Sequence, residues 1–179
     1  MIHAAIDVGS NSIRMLLQQS DDRIPSASQS FRQVTRLAGD FQSEFGLAPE
    51  SMMRTLNALE QFAAVLNKYQ VNRLRVVGTA ALRSAVNSSH FIENVRQKTG
   101  LNIEIIDGEM EACLSCRGIL SVINPAPDRA LMFDIGGGST EITLFEDDGI
   151  CLQKSLPLGV VRLFDDYPDT DKCSSAIHA

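Results

Sequence analysis

No apolar run in the 179-residue sequence is longer than Phe62–Leu66, far short of the roughly 18 to 20 residues a membrane-spanning helix needs. The chain is therefore not expected to cross a membrane. Asp7 and Arg14 interrupt what would have to be the apolar region of a secretory signal, so a cytoplasmic location is the expectation. Cysteine is scarce: Cys113, Cys116, Cys151 and Cys173 are too few and too irregularly spaced for a secreted disulfide scaffold, and reduced thiols are expected. Basic residues are in deficit, 16 Lys and Arg against 22 Asp and Glu, for a formal net charge of −6. That balance argues against bulk attraction to nucleic acid, which depends on many cationic contacts to phosphate. What is present is an ordinary globular composition, 44% hydrophobic and 21% charged, with enough apolar surface for a core and too much for intrinsic disorder.

Alternation and β-branched content predict a strand over His3–Asp7 and its antiparallel partner over Ser12–Gln19, joined by a tight turn at Gly9, Ser10 and Asn11. Phe31–Leu37 reads as a third strand and Asp40–Ala48 as a loop. From Pro49, a favourable first helical residue, Met52, Leu56, Leu59, Ala63 and Leu66 recur at steps of three and four, predicting an amphipathic helix with those residues in the core. Arg73–Thr79 is a predicted strand, His90–Lys98 a helix stopped by Gly100, Asn102–Ile106 a strand, and Gly108 to about Val122 a helix. Strands alternating with helices after an opening meander indicate a mixed α/β sheet with helices packed on it.

Asn124-Pro125-Ala126-Pro127 cannot continue a helix and reads as a short, stiff connector. A boundary there gives a first domain over 1–124 and a second over 125–179. Charge follows the same division: residues 1–124 carry 12 basic and 12 acidic side chains, and residues 125–179 carry 4 and 10. Beyond the connector, Ala130–Asp134, Ser139–Phe145 and Ile150–Leu156 read as three strands joined by a glycine-rich turn and by Asp147-Asp148-Gly149, with no helix expected after them. A three-strand sheet without covering helices would expose apolar surface and edge, which points to pairing with another copy, a homodimer, or to instability.

The most informative comparison is internal. Asp7-Val8-Gly9-Ser10-Asn11-Ser12 and Asp134-Ile135-Gly136-Gly137-Gly138-Ser139 align without a gap, each at the end of an apolar strand and each followed by another strand. Glycine lets backbone N–H groups approach an anion, Ser and Asn add donors, and a strand-end Asp can hold a divalent cation. Two such hairpins suit a phosphate chain; the plain alternative is a pair of tight turns with no ligand. GxxxxGK[ST] and GxGxxG are both absent.

The blocks AAIDVGSNSIRMLL, VVGTAALRSAVN, IEIIDGEMEACL, FDIGGGSTEITLF and KSLPLGVVRL, in that order from residue 4 to residue 164, resemble the exopolyphosphatase and guanosine pentaphosphate phosphohydrolase family. The resemblance implies the actin-like ATPase fold shared with sugar kinases and Hsp70, a ribonuclease H-like α/β architecture. In that family two lobes each open with a phosphate-binding hairpin beside an active-site cleft, and by that measure the second lobe here is incomplete. It implies a hydrolase that releases terminal orthophosphate from polyphosphate or guanosine pentaphosphate, with Mg²⁺ or another divalent cation and water as nucleophile. A phosphate-sensing module without turnover and an actin-like ATPase or sugar kinase are the alternatives of the same fold.

Carried over residue by residue, the resemblance makes Glu111 the general base; the ordinary alternative for Glu111 and Glu109 is helix-dipole stabilisation in a first turn. It makes Asp7, Asp134 and Glu141 the metal- and water-coordinating acids. Arg83 is the expected phosphate-binding and charge-offsetting residue, since a guanidinium fork matches phosphate and is always charged. Gly9, Ser10, Asn11, Ser12, Gly136, Gly137, Gly138 and Ser139 form the expected phosphate cradle. Arg14, on the strand after the first hairpin, is a weaker candidate because such a position often points away from the cleft. The family usually has two adjacent glutamates and then, after Ala, an Arg; Met110 and Cys113 stand at two of those positions, so activity or pH dependence is expected to depart from the family's norm. Cys113-Leu-Ser-Cys116 has no second CxxC and lies inside a predicted helix, which reads as helix packing rather than zinc or redox chemistry. His3, His90 and His178 show no ligand spacing, and Met52 and Met53 read as helix packing.

Overall fold

The computed structural model describes residues 1–19, 28–125, 127–146 and 149–166. The chain forms two compact units, Met1–Ile105 and Ile106–Ala179.

In the first unit, β1 (Ile2–Val8), β2 (Ser12–Gln19), β3 (Ser28–Val34), β4 (Arg73–Gly78) and β5 (Ile103–Ile105) make one sheet in the order β3-β2-β1-β4-β5. The meander β1-β2-β3 is antiparallel, and β4 and β5 add parallel to β1. This is a mixed sheet with helices packed on it, as expected. Alternation decides its two faces: Ala4, Ile6, Val8, Ile13, Met15 and Leu17 are buried, while Ala5, Arg14 and Leu16 face out. The buried face joins the inner residues of α1 (Pro49–Tyr69) and α3 (Ser88–Thr99), among them Leu59, Phe62, Leu66, Phe91 and Val95, in a single core.

Pro49 opens α1 and Gln70, left-handed at φ 50°, closes it. Its inner stripe includes two polar residues that an apolar count passes over, Ser51 and Thr55, each fully buried. Ser51 Oγ donates to the Gly39 carbonyl and Thr55 Oγ1 to the Ser51 carbonyl, so burial leaves neither unsatisfied. Met52, Leu56 and Ala63 are only partly buried and flank the stripe. The third strand ends at Val34 rather than Leu37, because the amides of Thr35 and Arg36 turn to the Asn11 carbonyl. A five-residue helix, α2 (Ala80–Ser84), follows β4, too short to leave a periodic signal.

The second unit holds α4 (Gly108–Leu120) and the antiparallel sheet β6 (Arg129–Ile135), β7 (Thr140–Glu146), β8 (Gly149–Leu156), followed by α5 (Val160–Asp166). Two expectations are corrected here. A helix does follow the last strand, and the sheet is covered on one face, since Cys116 of α4 packs with Met132 and Phe145. Leu131, Phe133 and Ile135, on the other face of β6, remain exposed. The compact units also divide at Ile105/Ile106 and not at the proline connector, because α4 packs on β6–β8. Asp147 and Asp148 of the expected turn, Ala126 of the connector, Cys173 and His178 lie outside the described residues.

Candidate functional site

Both hairpins close with the same backbone bond, Gly9 N–H to the Ser12 carbonyl at 3.2 Å and Gly136 N–H to the Ser139 carbonyl at 2.9 Å. In both, a neighbouring segment takes up the loop carbonyls. In the first, Thr35 and Arg36 donate to the Asn11 carbonyl and Ala38 to the Ser10 carbonyl; in the second, Val160 donates to the Gly136 carbonyl and Val161 to the Gly137 carbonyl. Among the described residues, the amides of Ser10, Asn11, Gly137 and Gly138 donate no backbone hydrogen bond. A loop with its carbonyls turned inward and its amides unspent presents positive partial charge, the property an anion requires. The Ser10 hydroxyl is buried and unpartnered as well. Ser12, the first residue of β2, and Ser139, just before β7, are buried at the matching positions of their own hairpins.

The strand-end acids occupy equivalent positions with different neighbours. Asp7 pairs across the ladder with Arg14, and Asp134 with Glu141. Like charges directly opposite on paired strands are unfavourable, so the second hairpin carries a repulsion that the first does not. Glu141 is almost fully buried at 2% exposure, and Ser155 Oγ donates to its Oε1 at 2.7 Å. Asp134 is exposed, and Ser115 Oγ of α4 donates to its Oδ2 at 2.5 Å. Asp7 and Arg14 border an open groove of about 520 Å³ on the face of the first sheet opposite the core, together with Leu16, Arg32 and Val77. Arg14 thus shares a face with Asp7.

Glu111 lies in the first turn of α4, half-buried, with its amide donating to the Asp107 carbonyl at 3.0 Å. Asp107 caps this helix, its Oδ1 accepting from Met110 N–H at 2.7 Å. Arg83 is half-buried in α2 of the first unit, its amide bonded to the Thr79 carbonyl. Within the second unit the structure brings together Asp134, Glu141 and the glycine loop; Asp7, the first loop and Arg83 belong to the first unit.

These hairpins sit in a chain matched from residue 18 to residue 177 by the model of the Ppx/GppA phosphatase family. The chain belongs to that family. It is 31% identical over 174 residues to a bifunctional 3-dehydroquinate synthase/phosphatase of Fusobacterium nucleatum, covering 93% of this chain and 26% of that one. It is 33% identical over 166 residues to a guanosine-5'-triphosphate,3'-diphosphate pyrophosphatase of Photobacterium profundum, covering 93% of this chain and 33% of that one. Among solved structures, an exopolyphosphatase from Cytophaga hutchinsonii superposes with a TM-score of 0.87 at 27% identity, over 93% of this chain and 54% of that one. The chain therefore spans about a quarter to a third of these curated relatives and about half of the solved neighbour.

A hard divalent cation suits the donors of this Ppx/GppA member. Asp134 and Glu141 offer oxygen only, and each keeps a carboxylate oxygen outside its serine bond. Among the described residues no group of three or more His, Cys, Asp or Glu is gathered for a metal, yet one or two carboxylates completed by water and phosphate are enough for Mg²⁺.

Several contributors carry no sequence signal of their role. Thr35 is buried next to the first loop in hydrogen bonding, with an unpartnered hydroxyl. Gly159 is required by contact: a Cβ there would lie 2.4 Å from the Gly137 carbonyl carbon and 2.5 Å from the Gly138 nitrogen. Gly159→Ala must push α5 off the second loop, so it should lower stability by about 1–3 kcal/mol, the usual range for overpacking. Thermal unfolding of the variant checks this, and an unshifted melting temperature would refute the contact.

The cysteines behave as helix residues. Cys116 is 1% exposed, and burial, with a smaller effect from Cys113, raises its thiol above the ordinary range. Iodoacetamide near pH 8 should therefore label exposed Cys151 well before Cys116, as peptide mass spectrometry would read; equal labelling would contradict the packing.

Proposed function

We propose that this chain carries the phosphate hairpins and the general base of a hydrolase that releases terminal orthophosphate from polyphosphate or guanosine pentaphosphate. The observation that carries the reading is the pair of loops with inward carbonyls and unspent amides, repeated 127 positions apart, each beside a strand-end acid. The amides of Ser10, Asn11, Gly137 and Gly138 bind phosphate oxygens and hold the chain still, which is most of what phosphoryl transfer asks of a protein. Glu111 accepts a proton from the attacking water at its carboxylate. Arg83 offsets charge on the transferred phosphoryl group. Asp134 and Glu141 in the second hairpin, and Asp7 in the first, are the oxygen donors that would hold a divalent cation, which would supply charge neutralisation when bound.

Release of orthophosphate from polyphosphate in the presence of Mg²⁺, assayed by molybdate, tests the reading. Binding without any release would instead favour the sensing module, the alternative supported by Met110 at the position before Glu111. Selectivity between the two substrates does not follow from the cradle, because both present the same terminal phosphoanhydride.

A further inference from the structure

We propose that Ser115 and Ser155 are positioning residues that orient the Asp134–Glu141 pair and, through α4, set the side of the helix on which Glu111 stands; this rests on the catalytic reading of those acids. The strand register puts Asp134, Glu141 and Ser155 in one row across β6, β7 and β8. The helix α4 crosses that row. At its first residue, a Cβ on Gly108 would lie 2.5 Å from the Ser155 Cβ, and seven residues later Ser115 reaches Asp134. Seven helical residues advance roughly 10 Å, matching two strand spacings of about 4.8 Å each. The helix is thus pinned at both ends of the row, over β8 by close packing and over β6 by a hydrogen bond.

The second pin has a rotational consequence. Glu111 precedes Ser115 by four residues, and such residues share a helix face. Ala112, fully buried, marks the inward side, about 60° beyond Ser115 and about 100° from Glu111 around the helix. The Ser115 bond that fixes the turn of α4 therefore fixes the direction of Glu111. Each serine has one proton to donate, and each spends it on one carboxylate oxygen, which leaves the second oxygen of each acid outside the serine bond. The glycine at 108 is part of the device, since any side chain there would meet Ser155 and displace its hydroxyl from Glu141.

Mn²⁺ binding to the chain, followed by the electron paramagnetic resonance signal of free Mn²⁺, tests the proposal without turnover. Ser115→Ala and Ser155→Ala should each weaken Mn²⁺ binding by about 10-fold or more, while Ser115→Thr, which keeps the hydroxyl, should stay within about two-fold, as expected for an outer-sphere hydrogen bond to a metal ligand. Circular dichroism of each alanine variant should match the unsubstituted protein. Unchanged Mn²⁺ affinity in a folded Ser115→Ala protein, with binding still lost in Asp134→Asn, overturns the positioning role and leaves the metal site standing. Absence of Mn²⁺ binding in the unsubstituted chain removes the metal reading, and the proposal with it.

Discussion

Glu111→Gln is expected to cut orthophosphate release from polyphosphate by about 10²- to 10⁴-fold, the span a positioned general base supplies. Polyphosphate affinity should change little, because Gln keeps the size of the side chain and the cradle amides lie on the two hairpins. The fold should tolerate it too: Glu111 is half-buried, and its backbone bond to Asp107 does not involve the carboxylate. Loss of the first-turn charge itself removes about 0.3–1 kcal/mol of helix-dipole stabilisation. Release at the unsubstituted rate would remove Glu111 from the reaction, whereas parallel loss of binding and release would make it a ligand-holding residue.

Asp134→Asn should have the second-largest effect. It removes one of the two opposed carboxylates and relieves their repulsion, so the protein should be no less stable. The Mg²⁺ concentration for half-maximal release should nevertheless rise by roughly 100-fold or more, since outer-sphere partners alone are worth 10- to 100-fold. A thermal midpoint that holds or rises together with that shift is the signature of a charge retained for a ligand. If the Mg²⁺ requirement is unaltered, Asp134 is not a metal acid.

The matching of the two hairpins was legible in the sequence because their chemistry is local: a strand-end acid, a turn that needs small residues, and a second strand. The partners of those hairpins were not. Thr35 and Ala38 approach the first loop from beyond β3, and α5 approaches the second from beyond β8, contacts that only chain tracing supplies. Ser115 looks like any serine in a helix of mixed pattern. The extent of the fold was read from periodicity, which served for the 21-residue α1 and failed for the five residues of α2 and the seven of α5. The proline connector is a break in the chain, while α4, which precedes it, packs on the second sheet. Local composition marks where a chain bends, not which neighbour a helix chooses.

Arg14 and Glu141 occupy the same place in their two hairpins with opposite charge. The first hairpin is neutral across that row and can receive an anion as it is; the second, doubly negative, repels one until a cation has bound. Loading should therefore be ordered. Short-chain polyphosphate without divalent metal should engage at the Asp7 hairpin and leave the Asp134 hairpin unengaged. In amide NMR, Ser10 and Asn11 would shift on adding the anion alone, and Gly137 and Gly138 only once Mg²⁺ follows. One duplicated turn would then act as a permanent anchor and the other as a metal-gated latch.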